Sequence, residues 1–244
     1  MYIKTKYLYF LTIVLFCASC GTLPKITDPV ALNKRAHSLY EKKQYTDAAT
    51  DWKNLQKMEI SPDLATETEL NLADAYYYGK KYIEAEAAYK EFRKMHPANE
   101  KAPYALFQMG MSNYKQFTGI DRDQTAVKNA LIYFQEYVST YPESEYFKDA
   151  TGKVEESKTK LLQYEQYIAN FYYRRHQYKA SAKRMEDALA EYPDNAANDR
   201  TLYLLGLART KLKEKDKANE AFQKLIDKFP NSKYAKKAKS MIKK

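Results

Sequence analysis

From residue 31 onward, small and bulky apolar residues recur in a fixed order, separated by polar stretches. In LADAYYYGKKYIEAEAAYKEFRKMHP, residues 72–97, Ala73 is followed by Tyr76, Tyr82, Ala85, Tyr89 and Phe92, and Pro97 closes the set. Thirty-seven residues earlier the same order reads Ala36, Leu39, Tyr45, Ala48, Trp52 and Leu55, with Pro62 slightly late. Ala169, Tyr172, Tyr178, Ser181, Met185, Ala188 and Pro193 form another copy, and Gly206, Ala218, Phe222, Leu225 and Pro230 the last. A middle copy, Gly110, Ala130, Phe134, Tyr137 and Pro142, carries eight extra residues between its halves. Steps of three and four residues mark one face of a helix. Each copy therefore predicts two antiparallel helices. The small residue lets the first helix approach its partner, a bulky residue of the second plugs the space between them, and the proline stops the helix.

This pattern resembles the tetratricopeptide (TPR) repeat, whose period is about 34 residues. The fold predicted is all-α, a TPR solenoid of about five helix pairs over residues 31–244. Two departures divide it. The third unit has the insert QFTGIDRDQTAV, residues 116–127, between its helices. Between Pro142 and Pro193 the chain lacks proline, which predicts one helix from near Tyr146 to about Arg174. Thr151 and Gly152 permit a kink there without requiring a break. The expected organisation is units one to three over residues 31–142, and units four and five, with the long connecting helix, over residues 143–244.

Composition agrees with helices: six glycines are too few for a turn-dense β domain of this length, whereas 24 tyrosines suit helix seams whose hydroxyls reach water. The start of the chain differs. Lys4 and Lys6 precede the apolar run YLYFLTIVLFCA, residues 7–18, too short for a bilayer span of about 20 residues but suited to a signal peptide over residues 1–19. Ala18 and Ser19 then lead to Cys20. This resembles the bacterial lipobox, with Cys17 where leucine is usual, and implies that Cys20 becomes a lipidated N-terminus. Residues 20–30 read as a leash. Cys17 and Cys20 are the only cysteines, so the mature chain is expected to hold no disulfide framework. Formal net charge is +10, or +8 without Lys4 and Lys6. In an exported chain this fits solvated helix faces better than nucleic acid.

No catalytic constellation emerges. His37, His96 and His176 fall in three different repeats without metal-ligand spacing, and G-x-S-x-G, P-loop and G-x-G-x-x-G patterns are absent. A binding protein without cofactor or metal is expected, and not an enzyme. In a TPR stack the first helices build a concave surface, where binding usually occurs. Helical spacing places Asn33, His37 and Tyr40 there in unit one, Leu70, Asp74 and Tyr77 in unit two, and Tyr104, Phe107, Met111 and Tyr114 in unit three. An aromatic groove of this kind suits an extended peptide with bulky apolar residues.

The lipobox, five repeats, DRD at residues 121–123, YPESEY at 141–146 and KLLQYEQYIANFYYRRHQYKASAKRMEDALAEYPD at 160–194 together resemble the BamD family, lipoprotein subunits of the machinery that inserts β-barrels into the bacterial outer membrane. The resemblance implies a lipid-anchored protein on the periplasmic face of the outer membrane. Its ligands would be C-terminal strands of unfolded outer-membrane proteins, in the groove, and a BamA-like barrel-forming subunit, on units four and five. Tyr173, Arg174, Arg200 and Tyr203 are the candidates for that second contact, because Arg and Tyr dominate interface hot spots. In the insert, Asp121, Arg122 and Asp123 either touch a partner or act locally, with Asp123 or Thr125 capping the next helix. Two other readings stay open: a periplasmic TPR adaptor coordinating cell-wall synthesis with envelope constriction, and a lipid-tethered nutrient-binding protein.

Overall fold

A computed structural model describes residues 26–242; the signal peptide, Cys20 and the leash as far as residue 25 lie outside these. The described residues form eleven helices: α1 (Pro29–Glu41), α2 (Tyr45–Leu55), α3 (Pro62–Tyr78), α4 (Tyr82–Met95), α5 (Ala102–Lys115), α6 (Thr125–Thr140), α7 (Phe147–Arg174), α8 (Tyr178–Glu191), α9 (Asn198–Lys211), α10 (Lys215–Lys228) and α11 (Lys233–Ile242). Each packs chiefly on its neighbours in sequence, as in a solenoid. The first ten make five pairs. The eleventh packs on α9 and α10 and covers the apolar end of the last unit, a terminal helix that the repeat pattern alone did not separate.

The small and bulky positions meet as the pattern requires. Trp52, Tyr89, Phe134, Met185 and Phe222 are all essentially inaccessible to solvent, as are Ala36, Ala73 and Ala169. At Gly110 an added Cβ would lie 2.6 Å from the Phe134 ring, and at Gly206 one would lie 2.3 Å from the Phe222 ring. Glycine is therefore required at these two crossings for close approach.

The first helices of units one and two start with a proline behind a side-chain cap. Asp28 accepts from the Ala31 amide at 3.0 Å, and Ser61 Oγ accepts from the Leu64 amide at 3.3 Å. The second helices of units one, two, four and five start differently. Lys43, Lys80, His176 and Lys213 occupy the left-handed region with φ of 60–62°. The following amide then returns to a carbonyl five residues back, as in Gln44 to Leu39 at 2.9 Å and Lys81 to Tyr76 at 2.8 Å. This is the Schellman closure, made here without glycine at the left-handed position.

Unit three replaces that turn with the insert. Gln124 Nε2 donates to the carbonyls of Gly119 (3.0 Å) and Arg122 (2.7 Å), and Asp123 Oδ1 accepts from the Thr125 amide (3.3 Å) and hydroxyl (3.0 Å). The acidic residue thus acts locally, at the start of α6.

The connecting helix α7 is continuous over 28 residues. Ala150 and Val154 join the core of α3–α6, while Leu161, Leu162 and Ala169 join that of α8–α10. Val127 of α6 also belongs to the second core, so α6 braces the junction. Apart from its chain neighbours and the backbone of its own helix, nothing lies within 4 Å of a Cβ built on Gly152, which is exposed in the second turn of α7. Gly152→Ala is expected to stabilise the protein by about 0.8–1.0 kcal/mol, read from chemical denaturation; a neutral or destabilising result would mean that α7 bends at this point.

Candidate functional site

The expected groove residues lie on α1, α3 and α5, and most form one aromatic face. His37 Nε2 lies 3.0 Å from Glu67 Oε1, and its ring stands edge-on to Trp52 at 5.2 Å. Tyr40 is half-buried among Tyr45, Trp52 and Tyr78, with ring centroids 5.2–5.9 Å away. Tyr77 packs edge-on against Tyr78 and Tyr82. Asn33 has a structural task, accepting a 2.9 Å hydrogen bond from the Trp52 indole.

Asp74 organises the middle of this face. Its Oδ1 accepts from the Tyr89 hydroxyl at 2.5 Å and the Tyr104 hydroxyl at 2.8 Å. Burial raises its pKa, and the two hydroxyl bonds, which favour the carboxylate, oppose that rise. Desolvation, followed by the Asp74 charge, raises the pKa of Tyr40 and Tyr78. Leu70, Asp74 and Tyr104 line one cavity of about 420 Å³, together with Tyr137 and Tyr146.

Phe107 requires a correction. It is only 8% exposed, stacks on Tyr146 at 4.8 Å and packs against Phe134 and Tyr137, so it supports the groove from beneath as a core residue. Its helical position faces the groove, but α7 begins directly over it. Met111 is partly buried against the same core. Tyr114 lies farther along, donating from its hydroxyl to Glu156 at 2.6 Å, with Lys153 and Lys160 over its ring at 4.7 and 5.1 Å. Against the upward push of desolvation, the Lys153 and Tyr114 donors hold the Glu156 carboxyl below its ordinary range.

Tyr78 and Tyr146 were missing from the sequence-derived set. Tyr78 was within reach, since it lies four residues beyond Asp74 on the same helix face. Tyr146 belongs to no repeat position and enters as the residue just before α7, its ring stacked on Phe107 of α5.

In the second block, Tyr173 packs edge-on against Tyr178 at 5.2 Å, Arg174 is exposed and Arg200 is partly exposed. Tyr203 lies between Phe222 and Tyr234 of α11, so part of its surface is already covered by the terminal helix. Tyr167 and Phe171, 44% and 50% exposed, add an apolar surface on α7 that the repeat pattern did not single out. Among the described residues, no group of three or more His, Cys, Asp or Glu is placed to hold a metal ion.

Paired helices and small-to-bulky crossings define a tetratricopeptide-repeat solenoid. The YfiO family, described as outer membrane lipoprotein, matches residues 27–221, and the chain belongs to it. It is similar to the outer membrane protein assembly factor BamD of Neisseria meningitidis serogroup A / serotype 4A, 28% identical over 232 residues that cover 88% of this chain and 87% of the relative. Its similarity to the BamD of Rickettsia prowazekii is 25% identity over 228 residues, 93% and 91% of the two chains. Among solved structures, the yeast Sti1 TPR2AB domain in complex with pHSP90 aligns with a TM-score of 0.42 and 14% identity, over 88% of this chain and 82% of that one.

Proposed function

We propose that the chain is a lipid-anchored scaffold and substrate receptor for outer-membrane β-barrel assembly, facing the periplasm and working without catalysis. The observation that carries this reading is the aromatic face from Tyr40 to Tyr146 in a member of the outer membrane lipoprotein family. Its relatives are outer membrane protein assembly factors. On this reading the groove of units one to three receives an extended C-terminal strand of an unfolded outer-membrane protein. Units four and five, through Tyr173, Arg174 and Arg200, dock a BamA-like barrel-forming subunit. A peptide with alternating bulky side chains fits such a face because aromatic rings supply large contact area at little cost in side-chain entropy.

His37→Ala with Tyr77→Ala is expected to weaken a barrel C-terminal peptide by about 2 kcal/mol, as hot-spot truncations do, while helicity is kept. Titration beside circular dichroism measures both; unchanged affinity would move the ligand off this face. The anchor is tested separately. Cys20→Ala should leave the folded body intact and shift it from the membrane fraction to the soluble fraction, because stable attachment needs two or more buried acyl chains. Mass spectrometry that finds an unmodified Cys20, or another mature N-terminus, would contradict the anchor.

A further inference from the structure

The cavity beside Asp74 is unusual in what it offers a ligand. Asp74 lies mostly buried, and no basic side chain among the described residues pairs with it; both of its hydrogen bonds come from tyrosine hydroxyls and use Oδ1. Buried carboxylates ordinarily acquire a cationic partner. Lys101 at the rim is engaged with Glu100, 3.8 Å away, and Glu145 adds a further negative charge to the lining. A second observation is independent of these acids. Tyr137 is fully buried and lines the cavity, yet its hydroxyl has no hydrogen-bond partner. Tyr104 and Tyr146 form aromatic walls with ring centroids 6.0 Å apart.

We propose that this cavity is a subsite for one basic side chain, an arginine, of the extended segment that lies in the groove. The proposal rests on the groove reading and adds to it what that segment must carry. A guanidinium presents five N–H donors in a plane, suited to the Asp74 carboxylate, whose Oδ2 neither tyrosine hydroxyl uses. Its face stacks on tyrosine rings, where a desolvated cation gains further attraction. A volume of about 420 Å³ accommodates such a side chain. A carboxylate, including a chain terminus, meets Asp74, Glu100 and Glu145 there and is repelled, so the C-terminal end of a bound strand must lie elsewhere along the groove.

The test uses the full mature chain and three nine-residue strand-forming peptides with alternate apolar residues, identical except for a central arginine, lysine or citrulline. Citrulline keeps the shape of arginine and removes its charge. The arginine peptide is expected to bind about tenfold tighter than the citrulline peptide, with lysine between them, and Asp74→Asn should abolish the difference. If Asp74→Asn does not fold, Tyr146→Leu removes one wall instead and should reduce the arginine preference. Equal binding of all three peptides to the wild type overturns the arginine subsite and leaves the groove reading standing. An arginine preference that survives both Asp74→Asn and Tyr146→Leu also overturns it, by placing the charge recognition elsewhere. Failure of every peptide to bind overturns the groove reading and the subsite together.

Discussion

Replacing Phe134 with alanine is expected to cost about 3–5 kcal/mol and to unfold units two and three before the rest of the chain. The ring is fully buried where α5 and α6 cross, in one core with Tyr89, Phe92, Leu106 and Tyr137. Its partner across the crossing is Gly110, where an added Cβ would come within 2.6 Å of the ring. Gly110→Ala alone should therefore cost about 1–3 kcal/mol, from overpacking. The two effects are not independent. Phe134→Leu removes the ring edge that the new methyl group would strike, so Gly110→Ala with Phe134→Leu should cost less than the two single changes summed. Urea denaturation of the four proteins measures the coupling. Strict additivity would show that the glycine is not there for close approach. The equivalent pair at the last repeat, Gly206 with Phe222, is tighter still, at 2.3 Å, and should behave alike.

The second large effect concerns α7. A flexible glycine–serine loop inserted after Glu155, between Val154 of the first core and Leu161 of the second, should leave the ligand of each block bound with nearly unchanged affinity. Assembly of outer-membrane proteins in cells should nevertheless be lost. One continuous helix fixes where a strand in the groove lies relative to a subunit held by α7–α9. In a solenoid each unit touches only its neighbours, so the coupling passes through this helix and the brace from Val127. The insertion should also split a single thermal transition into two. Normal assembly in cells carrying the insertion would mean that the two blocks act as independent docking modules.

The fold was legible because its physical rule is local. A small residue on one helix and a bulky one on the next, sixteen residues apart in four of the five units, can satisfy each other only in an antiparallel pair. The turns were less legible. Lys43, Lys80, His176 and Lys213 take the left-handed position that glycine usually marks, while Gly79 precedes it with an ordinary backbone. For the candidate groove, periodicity pointed to Asp74 and Tyr104 because it puts both on the predicted inner stripe of their helices. It could not reveal that the hydroxyls of Tyr89 and Tyr104 converge on one carboxylate, since Tyr89 belongs to a second helix and was assigned to the core. Nor could it show that Tyr146 covers Phe107, or that α11 reaches Tyr203, because both contacts depend on how a neighbouring element returns over the stack.

On the proposed function, the aromatic inner face of units one to three receives unfolded outer-membrane proteins. Incorporation of a photo-crosslinking phenylalanine analogue at Tyr77 or Tyr78 in living cells, followed by mass spectrometry of the adducts, tests it most directly. Adducts with newly made barrel proteins through their C-terminal strands are expected, weakened by His37→Ala. Adducts confined to cell-wall synthesis enzymes, or to folded barrels already in the membrane, would contradict it.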